Sequence, residues 1–356
     1  MNKTQIHAEI VGHSLSPQGD ELISVLCTFP RIILAEVNTH RMLSKNTSSS
    51  RAIPFKKMVE AIQENPFIPI AWQKEHKGMQ GSEYFNGVQA KMRDIDWKEA
   101  RDNAVKQAKY LNKKGVTKQL CNRLLEPFMW TTMLITGSRE GWDNFFELRC
   151  GNYDGFKSRK EAAKEFLEKG NINTSTWSDM DWRKLNKGQA EIHMMALAEE
   201  IYDAVNESTP KQLKAGEWHI PFEDKINIET IKKLTSKPPM GHPEEDSSYL
   251  EAIWYGDIIA NIIKISTAMA ARTSYTVIGE EKEVDYSKMI ELHDRLLSQD
   301  PPHSSPLEHC ARAMSEIEYT SCRTSKLAGK NGEYGWCGPY KGFMSYRYFI
   351  DNNLKV

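Results

Sequence analysis

The chain has 356 residues, 40% hydrophobic and 27% charged, with 47 basic against 48 acidic side chains. That length supports a core without a disulfide or metal staple, and a formal charge of -1 gives no general pull toward nucleic acid or anionic lipid. The longest apolar runs, such as 32–35 and 133–135, fall far short of the roughly 18 residues a membrane helix needs, so neither a membrane nor a nucleic-acid partner is expected.

The first 21 residues carry His, Glu and Asp where a secretory signal needs an apolar stretch, and the expected location is cytoplasmic. The six cysteines, Cys27, Cys121, Cys150, Cys310, Cys322 and Cys337, form no CxxC pair and are expected to be reduced, structural thiols.

Residues 5–13 and 21–29 have the pattern of short strands, and Pro30 opens the run PRIILAEVNTHR, which fits a helix with proline in its first turn. The polar stretch 39–51 follows as a loop. Residues 97–114 show helical spacing with Gly115 as C-cap, and a second helix starts near Thr117 and ends before Pro127. A buried strand is predicted over 128–136 and a helix over 139–149. The Lys-, Asn- and Ser-rich stretch 151–186 reads as loop, and a long helix is predicted over 187–205. Residues 207–246 read as an insertion or linker, followed by helices over 249–272 and 284–298 and, after a Pro-rich turn, an alternating strand over 311–319. The pattern predicts a mixed α+β fold, a central sheet flanked by helices.

Three constellations carry chemistry. THRMLSKNTSSSR at 39–51 combines a His, two Arg, a Lys, an Asn and several hydroxyls. Arg offers phosphate a planar fork of donors, and hydroxyls and backbone N–H groups complete the shell; the alternative is a solvated Ser-rich loop. PHSSPLEH at 302–309 places two His and a Glu in a Pro-bounded turn, but histidines six apart do not share a helix face, so hydrogen bonding is expected there and no metal. GWDNFFELRC at 141–150 ends an apolar, aromatic helix in Arg149, a partly desolvated cation suited to stabilising a developing oxyanion.

Together these blocks resemble the flavin-dependent thymidylate synthases, the ThyX family. That family's RHRxxSxNExSxR is matched at His40, Arg41, Ser44, Asn46, Ser49 and Arg51. Its NFLxLR followed by AQWEI is matched by NFFELR at 144–149 and GQAEI at 188–192. Its AARxS and GHxxPFEH correspond to AARTS at 270–274 and PHSSPLEH. In the family the last block precedes the first, so the motif order here is that of a circular permutation, which close termini permit.

The resemblance implies a ThyX-like central sheet flanked by helices. A nucleotide- and flavin-binding part spans 1–206, and a further flavin-binding part at 247–356 completes the same fold. It implies FAD bound by His40, Arg41, Asn46, Asn144, Ser274, His303 and Ser305. It places the nucleotide on Ser49, Ser50 and Arg51, with Arg123 of NRLLEP a further contact whose usual Glu partner is missing or replaced by Gln119. Arg149 meets the pyrimidine ring and is the expected catalytic cation; Cys150 beside it lacks a base and is expected to be structural. The implied activity is methylation of dUMP to dTMP at C5, with the one-carbon unit from methylenetetrahydrofolate and electrons from NADPH through FAD. A homotetramer with shared active sites is also implied, with the aromatic C-terminal segment 335–349 at a subunit contact.

Three positions depart from the family: Thr39 for the first Arg, Thr47 for the Glu after Asn46, and Glu36 for a Gln. A carboxylate at 36 accepts from the exocyclic amine of cytosine and repels the carbonyl of uracil, which makes dCMP the alternative substrate. A hydroxymethyl product is a further alternative. So is a lapsed enzyme retained for nucleotide or flavin binding, against which the retention of Arg51, Arg123 and Arg149 speaks.

Overall fold

The computed structural model describes residues 6–77, 81, 83–170, 172–236, 247–273, 284–323 and 333–354. Two strands open the chain as a hairpin, β1 (His7–Leu15) and β2 (Glu21–Pro30), with Gly19 at φ 88° in the turn between them, a conformation that favours a residue without Cβ. β3 (Ser44–Thr47) lies antiparallel to β4 (Trp130–Ser138), which itself pairs with Leu22 to Pro30 of β2; β5 (Lys211–Gln212) adds in parallel to β1. The resulting five-stranded sheet runs β3-β4-β2-β1-β5. β6 (Trp218–His219) and β7 (Ala311–Ala313) pair, β8 (Trp336–Cys337) and β9 (Tyr340–Lys341) form a hairpin, and β10 (Phe343–Ser345) completes a second sheet, β10-β7-β6.

The helices in chain order are α1 (Leu34–Asn38), α2 (Phe55–Glu64), α3 (Gly87–Lys113), α4 (Lys118–Cys121), α5 (Arg139–Arg149), α6 (Arg159–Gly170), α7 (Asp179–Leu185), α8 (Ile192–Glu207), α9 (Ile228–Leu234), α10 (Ser247–Arg272), α11 (Tyr286–Leu297), α12 (Glu316–Ser321) and α13 (Tyr346–Asp351). The fold is mixed α+β. Among the described residues no helix is long and apolar enough to cross a membrane.

α5 and α8 pack on the large sheet because each presents an apolar face to it. Trp142, Phe145 and Phe146 of α5 and Leu197 and Ile201 of α8 are buried with Val25, Cys27, Phe29 and Ile135 of the sheet. A second core gathers Ile262 and Ile263 of α10, Met289 of α11 and Phe349 of α13. Burial on this scale, at about 25 cal/mol per Å² of apolar surface, is what fixes α5 and hence Arg149 at its end.

Several sequence expectations are corrected. The loop expected over 39–51 contains β3, because backbone pairing with β4 and inward-facing Ser44 and Asn46 outweigh the low strand propensity of Lys and Asn. The stretch 151–186 holds α6 and α7, the latter started by a capping box from Ser178 to Asp181. The strand predicted over 311–319 stops at Ala313, where Ser315 caps α12. The helix from Thr117 shortens to α4 and passes into a 3-10 turn, Asn122–Phe128, that tolerates Pro127. The helix predicted from 187 starts at Ile192, capped by the Glu191 carboxylate, and the one from 97 reaches back to Gly87. In the C-terminal segment 335–349, Trp336, Tyr340, Phe343 and Phe349 pack in this chain's own interior, at most 2% exposed, while Tyr348 is 36% exposed. Within 207–246, β5, β6 and α9 pack on the rest of the chain through buried Leu213, His219 and Ile231.

Candidate functional site

β3 organises the site. Its alternation turns Ser44 and Asn46 inward and Lys45 and Thr47 toward a half-exposed face. Asn46, 6% exposed, donates through Nδ2 to the Ala270 carbonyl and to Thr273 Oγ1 at 3.2 Å, and its Oδ1 accepts from Ser305 Oγ at 3.1 Å. Ser305 Oγ also lies 3.4 Å from the Lys45 carbonyl. The AARTS and PHSSPLEH segments, more than 220 residues away in sequence, thus close on the first motif through one buried amide.

At the start of β3 the first motif meets the end of α5. Arg149 Nε donates to His40 Nε2 at 2.9 Å, Nη2 reaches Thr39 Oγ1 at 3.3 Å, and Nη1 stands 3.8 Å from the Glu36 carboxylate. Burial, then Arg149 and Lys45, push the His40 imidazole down to about 4, which keeps it neutral and leaves Nε2 free to accept. Phe145 packs edge-on against the His40 ring at 4.8 Å. Burial and the field of Glu191 raise the Glu36 carboxyl above its ordinary range, opposed by Arg149. The arrangement is a half-buried guanidinium held by a neutral imidazole, a geometry able to present positive charge to an electron-rich oxygen.

Beyond the other end of β3, Ser50 is buried and donates to Glu126, which also stands 3.3 Å from Arg31. Asn122 Nδ2 donates to the Ser50 carbonyl at 2.6 Å and the Ile53 carbonyl at 3.0 Å, tying NRLLEP to the first motif. Ser49 is half-buried; Arg51 and Arg123 are exposed and have no ion partner among the described residues. The four residues of β3 lie between this end and the turn that holds Arg149.

Of the remaining residues singled out from sequence, Arg41, Asn144 and His303 are exposed, and Ser274 lies outside the described residues. Burial, and then Glu199, push the Cys150 thiol well above its usual range, which makes it a poor nucleophile. All six cysteines are free thiols. Sequence reasoning missed Glu126, the carboxylate that engages Ser50, although a Glu just before Pro127 was visible in NRLLEP. It also passed over Lys45, whose Nζ donates to the His40 carbonyl.

A cavity of about 1270 Å³ is bordered by Ile70, Trp130, Tyr153, Arg183 and Glu199 and by Gly188, Gln189, Ala190 and Ile192 of the GQAEI block; none of the residues assigned a binding or catalytic role from sequence lines it. On its wall Glu199, 5% exposed, accepts from Tyr153 Oη at 2.5 Å and from Arg159 Nε at 3.1 Å.

No family model matches the chain, and no curated protein matches it. Similar solved structures include a UMP/dUMP methylase PolB from Streptomyces cacaoi bound with 5-Br dUMP, at 14% identity and TM-score 0.36, covering 52% of this chain and 67% of that one. The same methylase bound with 5-Br UMP matches at 12% identity and TM-score 0.40, covering 58% of this chain and 90% of that one. Similarity at this level assigns no activity.

Proposed function

We propose that the chain is a flavin-dependent pyrimidine deoxynucleotide C5 methyltransferase. It places a one-carbon unit from methylenetetrahydrofolate on dUMP to give dTMP. The observation that carries this reading is the closure of separate motif blocks on one short segment, β3 and the turn before it: His40 bonded to Arg149, and Asn46 bonded to Ala270, Thr273 and Ser305.

In this account Arg149 faces the pyrimidine and stabilises negative charge that develops on a ring oxygen as C5 becomes nucleophilic. His40, neutral, orients the guanidinium without competing for the charge. Ser49, Ser50 and Arg51, with Arg123, hold the nucleotide's phosphate and sugar. Lys45, Asn46, Ser305, His303 and Arg41 border the flavin, and their ammonium, hydroxyl and guanidinium donors suit an anionic dinucleotide. FAD, when bound, supplies the carrier for electrons from NADPH. A homotetramer with active sites shared between subunits, as the resemblance implies, is part of this reading.

Replacing the C5 hydrogen must release it. Tritium release from dUMP labelled at C5, dependent on FAD, NADPH and methylenetetrahydrofolate, is the expected result; no release with all three present removes the methyltransferase reading. A second substrate, dCMP, is favoured by one observation: the Glu36 carboxylate stands beside Arg149, where it would meet the base.

A further inference from the structure

Lys45 sits on β3 between the turn at His40 and the 3-10 turn Ser305–Glu308. Its ammonium donates to the His40 carbonyl, and no carboxylate among the described residues stands within ion-pair distance of it. Glu308, the carboxylate whose field acts on it, is taken by Arg347 Nη1 at 2.5 Å. A half-buried ammonium without an ion partner is costly, and burial accordingly lowers Lys45 to about 8. Such a cation is retained where something anionic completes it. Ser305 Oγ donates toward the Lys45 carbonyl at 3.4 Å, which sets the Ser305 turn directly against β3.

Thr39, by contrast, is short and neutral, and its hydroxyl is committed to the Glu36 carbonyl at 2.7 Å and to Arg149. The motif to which 39–51 is similar carries an Arg at that position. Lys45 reaches back from five residues downstream to the same turn of backbone.

We propose that Lys45 supplies the cation that this chain lacks at Thr39, and that its ammonium holds a phosphoryl group of a ligand bound between the His40 and Ser305 turns. This rests on the reading of the site as a flavin and nucleotide site. The phosphoryl group belongs either to the flavin dinucleotide or to the nucleotide monophosphate, which share this chemistry.

The test is titration of the full chain with FAD and, separately, with dUMP, for the unaltered protein, Lys45→Met, Lys45→Arg and the pair Lys45→Met with Thr39→Arg. Loss of one charge-assisted hydrogen bond predicts affinity weakened by about tenfold or more in Lys45→Met. Lys45→Arg keeps binding, and Thr39→Arg restores most of what Lys45→Met loses. Weakening confined to FAD assigns the contact to the dinucleotide, and weakening confined to dUMP assigns it to the monophosphate. Unchanged affinity for both ligands in Lys45→Met overturns the proposal, as does a loss that neither Arg restores. An unaltered protein that binds neither ligand overturns the parent reading and this assignment with it.

Discussion

Arg149 Nε donates to Nε2 of His40 at 2.9 Å, joining the last residue of α5 to the turn before β3 across 109 positions of sequence. The bond requires a neutral imidazole, and burial together with the guanidinium itself provides one. The charge of Arg149 is therefore fixed in place, and among the described residues the carboxylate at ion-pair distance from it is Glu36 at 3.8 Å.

Removing that charge should cost rate rather than fold. Arg149→Ala is expected to lower kcat with dUMP by about 10²–10³-fold, the range for loss of one preorganised charge-stabilising donor. Steady-state kinetics beside a thermal melt checks this; a kcat within a few-fold of the unaltered enzyme places Arg149 outside the chemistry.

Glu36→Gln keeps the side chain's shape and removes its charge beside Arg149. If Glu36 reads the exocyclic amine of cytosine, the variant shifts preference toward dUMP in competition binding of dUMP against dCMP. An unchanged ratio assigns Glu36 to Arg149 alone.

Asn46→Ala leaves the Ala270 carbonyl, Thr273 and Ser305 without their common buried partner. The expected loss is about 1–3 kcal/mol of stability, read from urea unfolding. A loss near zero means that water replaces the amide and that the junction of motif blocks does not depend on it.

A buried line of hydrogen bonds runs from Ser14 through His219 at 2.9 Å, Ser24 at 2.8 Å and Thr136 at 2.6 Å to His309 at 2.9 Å. Burial pushes both imidazoles down to about 3, below the 6.5 of an unfolded histidine. The unfolded chain then binds more protons between these values, so the stabilisation is complete above pH 6.5 and is lost as pH falls toward 3. Each histidine contributes a slope of up to about 1.4 kcal/mol per pH unit in that window. Melting temperatures recorded from pH 7.5 down to 4.5 should fall, and fall less steeply in His309→Leu; a flat profile contradicts the neutral, buried assignment.

The elements that sequence made legible are those with a strong local period. α5 was expected over 139–149 and spans Arg139–Arg149, because Trp142, Phe145 and Phe146 recur at helical spacing. The strands β1 and β2 are legible in their residue pattern, and their pairing as a hairpin is a finding of the structure. β3 was not legible, since its four polar residues owe their extended form to β4, 86 to 92 positions away. In the site, His40 and Arg149 are singled out from sequence with separate roles, and the bond between them is legible only in the structure. Lys45 and Glu126 are not singled out, because a cation without a partner and a carboxylate reaching back to Ser50 are facts of three-dimensional packing. The helices within 151–186 were hidden by polar composition: α7 buries none of its own residues, and α6 buries only Ala162.

The central claim is that blocks converging on β3 form a flavin site adjoining a pyrimidine nucleotide. The visible absorption spectrum of the purified protein, after addition of FAD and during titration with dUMP, tests it most directly. The account predicts a bound flavin whose spectrum shifts as dUMP is added, with the shift blunted in Arg149→Ala. A protein that takes up no FAD and stays colourless would contradict it.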